Sequence, residues 1–438
     1  MDTLAFPQEL VDHIIDNLKD EPASLAAAGL LGRRWYHRSR LHLFSSIELG
    51  ERRPLNRTRQ LRRLLARRPF LAGCIKMLTL LKCDSWLASC PHTAGLLRAL
   101  WRLVSLTIEG DGLLDWESLP NRLQHRLYKS MARRDLEWLS LASISNFDIL
   151  PVSRYSHINN LCLHSVSLAP RSSSTHGACF PLTRLPDSSS SADSPILPSD
   201  LDVMGCGDAL RTLLVCAGTS SEGNLPPYLQ PRTLYIGTTV DDEDMKAASE
   251  LLVNAYCTTV ERYTITEDAE AQPLNINEPS PSEALFKFSR FPRLVDLIVQ
   301  VKCHDFNADD HPILPLLLRG LEDLGNSRDS VPLKSLTIQF DSQMDASLYS
   351  GLAEALEEFR GLPCGTFWVA LDEVLAQSVF SSLDAVEVTF ELTNNPLLRE
   401  AAAACTPLLL SRMRNLSGGR DLVRVVVLDE PDTVFLRR

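Results

Sequence analysis

Aromatic residues make up only 7% of this 438-residue chain. No stretch of about 18 uncharged apolar residues occurs, so no transmembrane helix is expected. The opening residues, Met1 to Leu10, hold neither a basic stretch nor an apolar one, so a secretory signal is not expected. Gly-x-Ser-x-Gly, a P-loop, Gly-x-Gly-x-x-Gly and His-Glu-x-x-His are all missing. The one glycine-containing turn that invites comparison, Gly205-Cys206-Gly207-Asp208, lacks the Lys-Ser/Thr pair that a P-loop uses on phosphates. Nothing local singles out a nucleophile or a general base. The expectation is a chain that is not an enzyme, with no catalytic residues and no cofactor.

A cysteine framework is also missing. The 11 cysteines are odd in number and scattered, and Cys162, Cys216 and Cys257 sit inside apolar segments, where a reduced thiol behaves as a small hydrophobe. This usage suits a reducing compartment, cytoplasmic and/or nuclear. Cys83, Cys90 and His92 form one conceivable metal cluster and Cys303, His304 and His311 another. Neither has the two closely spaced ligand pairs of a structural zinc site, so both sets read as ordinary loop residues and no metal is expected.

Hydrophobic residues, at 45%, are sufficient for a folded protein. The charge is uneven. Residues 1–70 hold 13 Lys/Arg against 8 Asp/Glu, a balance of +5, while the whole chain carries −11, which leaves −16 beyond residue 70. Such an asymmetry suggests two modules with different surfaces. An acidic remainder disfavours binding to a phosphate backbone, so neither nucleic acid nor membrane is an expected partner.

Residues 1–50 read as three short helices. Phe6-Pro7-Gln8-Glu9 opens the first, with Pro and Glu suited to a first helical turn. Leu10, Ile14, Ile15 and Leu18 recur at helical spacing before Lys19-Asp20-Glu21-Pro22 ends it. A second helix is expected over Ala23–Leu31, and a third from Arg33 through Leu41, carrying Trp35. At Phe6, Pro7, Glu9, Leu10, Ile14, Leu18, Leu25, Leu31, Arg33 and Trp35 this stretch resembles an F-box of the fungal type. Phe6 stands where that family usually has Leu, and Gly32 where Cys is typical. A Gly within a helix costs about 1 kcal/mol, so Gly32 either weakens a helix or marks the break between two. The resemblance implies binding to the Skp adaptor and, through it, to a cullin. The residues assigned to that contact are Phe6, Pro7, Leu10, Ile14, Leu18 and Leu31, with Trp35 fixing the third helix. The bland alternative is a helical cap that packs only on the rest of the chain.

Residues 51–73 read as an amphipathic linker helix. Leu55, Leu61, Leu64 and Leu65 form its apolar stripe, and Arg52, Arg53, Arg57, Arg59, Arg62, Arg63, Arg67 and Arg68 face water. Such a stretch also suits a nuclear-localisation signal or an acidic partner. Aromatics are not interleaved with the arginines, so base stacking has no support.

From residue 74 to 438 a short pattern, Leu-x-x-Leu-x-Leu, recurs at irregular intervals. Strands are expected at Ile75–Leu81, Leu103–Ile108, Leu136–Leu141, Ile158–Leu163, Leu210–Val215, Arg232–Ile236, Val260–Ile265, Leu294–Val299, Leu333–Ile338, Ala385–Phe390 and Val423–Leu428. Helices are expected at Pro120–Arg133, Asp241–Ala255, Pro312–Asn326, Ser347–Phe359 and Asn395–Asn415. The region resembles the leucine-rich-repeat half of fungal F-box proteins, implying an irregular solenoid of parallel strands with outer helices. Apolar strands alternating with helices equally allow a doubly wound α/β sheet. The Ser/Pro-rich stretch 169–200 reads as a disordered insertion, and 217–232 and 266–284 as further loops. Asp241, Asp242, Glu243 and Asp244 precede a helix, where negative charge is favourable.

The resulting expectation is an α/β protein, a three-helix F-box followed by a leucine-rich-repeat-like solenoid. It would act as the substrate-recognition adaptor of a Skp–cullin–F-box ubiquitin ligase. The alternative is a repeat scaffold that mediates protein–protein interaction without the ligase. The repeats would hold a protein substrate whose identity the sequence does not reveal.

Overall fold

The computed structural model describes residues 7–50, 53–149, 151–152, 157–168, 198–216, 231–239, 243–268, 281–303, 313–327, 331–342, 366–392, 396–419 and 422–428. Phe6, most of the stretches 169–200, 217–232 and 266–284, and the expected helix Ser347–Phe359 lie outside the described residues. The chain divides into two compact units, Met1–Pro198 and Ser199–Arg438.

The first unit opens with α1 (Gln8–Asn17), α2 (Pro22–Ala28) and α3 (Arg33–Leu43). Val11, Ile15 and Leu25 form a small buried core, with Leu18, Trp35 and Leu43 packed against it. Gly32 lies at the N-cap of α3 with φ near +153°, outside either helix, so it marks a break and no intrahelical penalty applies. Five parallel strands follow in chain order: β1 (Ser46–Leu49), β2 (Met77–Leu80), β3 (Ser105–Asp115), β4 (Trp138–Phe147) and β5 (Asn160–Leu168). Parallel neighbours require a crossover. α4 (Pro54–Arg67), α5 (Thr93–Ala99) and α6 (Asn121–Met131) supply the first three.

The second unit repeats the plan. Its strands are β6 (Asp200–Met204), β7 (Thr233–Thr239), β8 (Arg262–Asp268), β9 (Asp296–Cys303), β10 (Ser335–Ser342), β11 (Ala385–Leu392) and β12 (Val423–Leu428), again parallel and in chain order. Its helices are α7 (Gly207–Cys216), α8 (Glu243–Tyr256), α9 (Ile313–Ser327), α10 (Thr366–Leu375), α11 (Pro396–Arg412) and α12 (Arg414–Gly419). A doubly wound sheet reverses its strand order at a switch point; neither unit does.

Alternation within each strand decides which side chains enter the core. Leu106 and Ile108, Leu139 and Leu141, Leu336 and Ile338, and Val386 and Val388 are all fully buried. The residue three positions before the first of each pair (Leu103, Leu136, Leu333 and Leu383 respectively) is buried too. One backbone device recurs at the strand starts. The Ser45 carbonyl accepts from both Lys76 N–H and Met77 N–H, at 2.8 and 2.9 Å. Lys76, Val104 and Glu137 repeat this in the first unit, and Ser199, Arg232, Glu261, Val295 and Lys334 in the second, each carbonyl taking two successive amides of the following repeat.

One expected strand is corrected. Leu210–Val215 lies in α7, because Ala209, Leu210, Leu213 and Leu214 are buried at a spacing of three and four, which is helical. The strand of that repeat is β6, whose frame begins at the buried Pro198 in place of an aliphatic residue.

Candidate functional site

α1 has two apolar faces. Val11 and Ile15 point into the small core, while Leu10 and Ile14 remain 49% and 40% exposed. Pro7, exposed at the N-cap of α1, continues that outer row at helical spacing. Beyond α2, Leu30 and Leu31 are 88% and 70% exposed. Of the assigned contact residues, Pro7, Leu10, Ile14 and Leu31 therefore stand on the surface. Leu18 is half-buried against the core, and Phe6 lies outside the described residues. Leu30 is the residue that sequence reasoning passed over; its signal was the Leu-Leu doublet before Gly32.

Polar contacts hold α1 against α3. Arg38 Nε and Nη2 donate to the two carboxylate oxygens of Asp16 at 2.7 and 2.8 Å, and His42 Nε2 lies 2.7 Å from Oδ1 of the same carboxylate. The hydrogen bonds from Arg38, then that from His42, hold the Asp16 carboxyl well below the usual carboxylate range. Gln8 Nε2 donates to Asp12 Oδ1 and to the Arg34 carbonyl. These bonds fix the pitch of the exposed row without contributing to it.

The face of the second unit's sheet opposite its aliphatic core is polar. Tyr235 OH donates to Gln300 Oε1 at 2.9 Å, Thr266 Oγ1 donates to the same oxygen at 2.6 Å, and Gln300 Nε2 donates to Gln339 Oε1 at 3.2 Å. One hydrogen-bonded row thus crosses β7, β8, β9 and β10. At the strand starts a hollow of about 550 Å³ is lined by Asp200, Arg232, Glu261, Arg262 and Asp296 among others. Arg262 and Asp296 pair across it at 3.2 Å. The mixed charge of this hollow suits polar recognition, and Ser199 Oγ donates to Asp200 Oδ2 at its rim at 3.2 Å.

Of the two conceivable metal sets, only Cys83, Cys90 and His92 fall wholly within the described residues, and they do not come together as a ligand group. Cys83 is buried, its thiol pushed up to about 12 by desolvation first of all, and Cys90 is buried separately. His92 Nδ1 accepts from Arg62. His304 and His311 lie outside the described residues. Among the described residues no group of three or more His, Cys, Asp or Glu could hold a metal ion. No helix among them is long and apolar enough to cross a membrane. Asp244, expected to favour a helix start, stands in the first turn of α8 and pairs with Arg211 at 3.0 Å; Asp241 and Asp242 lie outside the described residues.

No protein-family model and no curated protein matches the sequence. A solved psychrophilic glycoside hydrolase family 10 endo-beta-1,4-xylanase shares 13% identity over 51% of this chain and 70% of its own, with a TM-score of 0.19, a likeness too slight to bear on fold or function.

Proposed function

We propose that this chain is the substrate-recognition adaptor of a Skp–cullin–F-box ubiquitin ligase. In this reading α1–α3 form the F-box and bind the Skp adaptor, and the strand–helix repeats form a leucine-rich-repeat-like array that holds a protein substrate. The chain contributes proximity, and transfer chemistry belongs to other subunits.

The observation that carries the reading is the outward apolar row Pro7, Leu10 and Ile14, together with the exposed Leu30 and Leu31 that follow α2. Burying the half-exposed Leu10 and Ile14 against a partner would contribute about 1 kcal/mol each, and the largely exposed Leu30 and Leu31 about 1.5–2 kcal/mol each. An amphipathic helix with such a row suits a hydrophobic groove. The row Tyr235–Gln300–Gln339 supports the second half of the reading, since it pairs an aromatic ring with side-chain amides, the mix of aromatic and hydrogen-bonding groups that protein interfaces use.

The test is co-expression of the full chain with its host's Skp adaptor and a cullin, followed by size-exclusion chromatography. A stable one-to-one complex with Skp is expected, lost when Pro7→Ala and Leu10→Asp are combined. Co-elution of the cullin supports ligase membership. A Skp complex that excludes cullin favours the ligase-independent scaffold, and a folded chain that ignores Skp overturns the assignment.

A further inference from the structure

The helices beside the first unit's sheet carry charge of one sign. α4 holds five arginines between Arg57 and Arg67, α5 holds Arg98, and α6 holds Arg122, Arg126 and Lys129; none of the three contains Asp or Glu. Residues 52–108 as a whole hold twelve Lys/Arg and one Asp/Glu, a balance of +11 against −11 for the whole chain and so −22 for the rest. This surface exists only in the fold. α4 packs on α5 and α5 on α6, bringing three separate segments into one layer. Arg62 Nη1 donates to His92 Nδ1 at 3.0 Å across the first of these contacts.

The charge is uncompensated. Arg57, Arg59, Arg63, Arg67 and Arg98 are exposed, and none forms an ion pair among the described residues. Like charges crowded on one layer repel, and an anion laid across them relieves that repulsion while gaining attraction to each. The second unit's helices differ: α8 carries Glu243, Asp244 and Glu250, and α9 carries Glu322 and Asp323.

We propose that the α4–α5–α6 layer docks an Asp/Glu-rich segment of a partner protein. This inference stands apart from the adaptor reading and does not depend on it. Two observations favour a short acidic peptide over nucleic acid. The exposed aromatics flanking the layer, Phe70 and Trp101, each have a guanidinium over the ring (Arg40 at 5.3 Å and Arg102 at 4.4 Å), which occupies a face that a base would stack on. The whole chain carries −11, and a net charge of that sign opposes non-specific association with a long polyanion.

The experiment is fluorescence anisotropy of a labelled Glu-rich peptide titrated with the full chain, between about 50 and 200 mM salt. Saturable binding that weakens with salt is expected. Combining Arg59→Glu, Arg63→Glu and Arg67→Glu should weaken it at least about tenfold, as should Arg122→Glu with Lys129→Glu on the separate helix α6. Lys287→Glu with Arg293→Glu, exposed positions in the second unit, should leave it unchanged. Circular dichroism confirms that each variant keeps its fold, and the two independent charge reversals guard against one of them failing to fold. Absence of peptide binding, equal binding by both charge-reversed variants, or tighter binding of a DNA of equal charge that the same reversals abolish would each overturn the proposal.

Discussion

The Asp372 carboxylate, buried on α10, accepts the backbone N–H of Leu416 in the first turn of α12 at 3.0 Å. Its other oxygen accepts the neighbouring amide of Asn415 at 2.9 Å. A side chain on one helix thus caps another helix distant in sequence, satisfying amides that have no partner within the helix. Replacing it leaves the buried Leu416 amide unmatched, so Asp372→Ala should lower stability by about 1.5–3 kcal/mol. Urea unfolding followed by circular dichroism checks this, and an unchanged midpoint would show that water replaces the carboxylate at no cost.

The Asp16–Arg38 pair predicts acid sensitivity in the N-terminal helices. The folded Asp16 carboxyl titrates below its unfolded value of about 3.9, chiefly because Arg38 donates two hydrogen bonds to it. The stabilisation is therefore fully present above about pH 4 and is lost as pH falls from there through the depressed folded value. Hydrogen exchange of α1 and α3 should accelerate in that window, and Asp16→Asn should remove the pH dependence while leaving faster exchange at pH 7.

Buried and exposed apolar residues of the N-terminal helical module should differ sharply in their effect on stability. Ile15 is fully buried, so Ile15→Ala is expected to cost about 2–5 kcal/mol. Leu31 is 70% exposed, so Leu31→Ser should shift stability by no more than about 0.5 kcal/mol. Thermal unfolding of the two variants distinguishes a face that holds the module together from one left over for a partner.

Gly320 lies where α9 crosses the short helical turns Pro281–Phe286 and Phe288–Arg290. A methyl group at that position would run into the Phe286 carbonyl and the Phe288 ring. Gly320→Ala should therefore destabilise by about 1–3 kcal/mol through overpacking, despite Ala's better helix propensity. A raised melting temperature would mean that the turns yield.

The repeat frame was legible wherever aliphatic residues filled all three positions, as at Leu103, Leu106 and Ile108. It was lost at β6, where Pro198 closes a Ser/Pro-rich stretch and Asp200 and Asp202 alternate with Leu201 and Val203. The apolar run that follows then imitates a strand, although its burial at Ala209, Leu210, Leu213 and Leu214 is helical. β1 was missed although Phe44, Ile47 and Leu49 keep the spacing of Ile75, Leu78 and Leu80, because it follows directly on the three-helix stretch. The outer row on α1 was readable as helical spacing, but its separation from Val11 and Ile15 needed the packing of α2 and α3. The basic layer was legible only in its first third, because α5 and α6 join α4 through tertiary contact rather than through adjacency in sequence.

The doubly accepting carbonyls keep each repeat's phase independent of the length that precedes it. From Lys76 to Val104 and from Lys334 to Asp384 the interval nearly doubles, yet the same pair of amides meets the same carbonyl. Each unit therefore counts its strands by contact with the previous one and not by residues along the chain. Length variation in a returning segment is local news: it alters what projects from one repeat without passing an error to the next. A chain built this way can accept new segments of unequal size at many points and still present its sheet face in unbroken order.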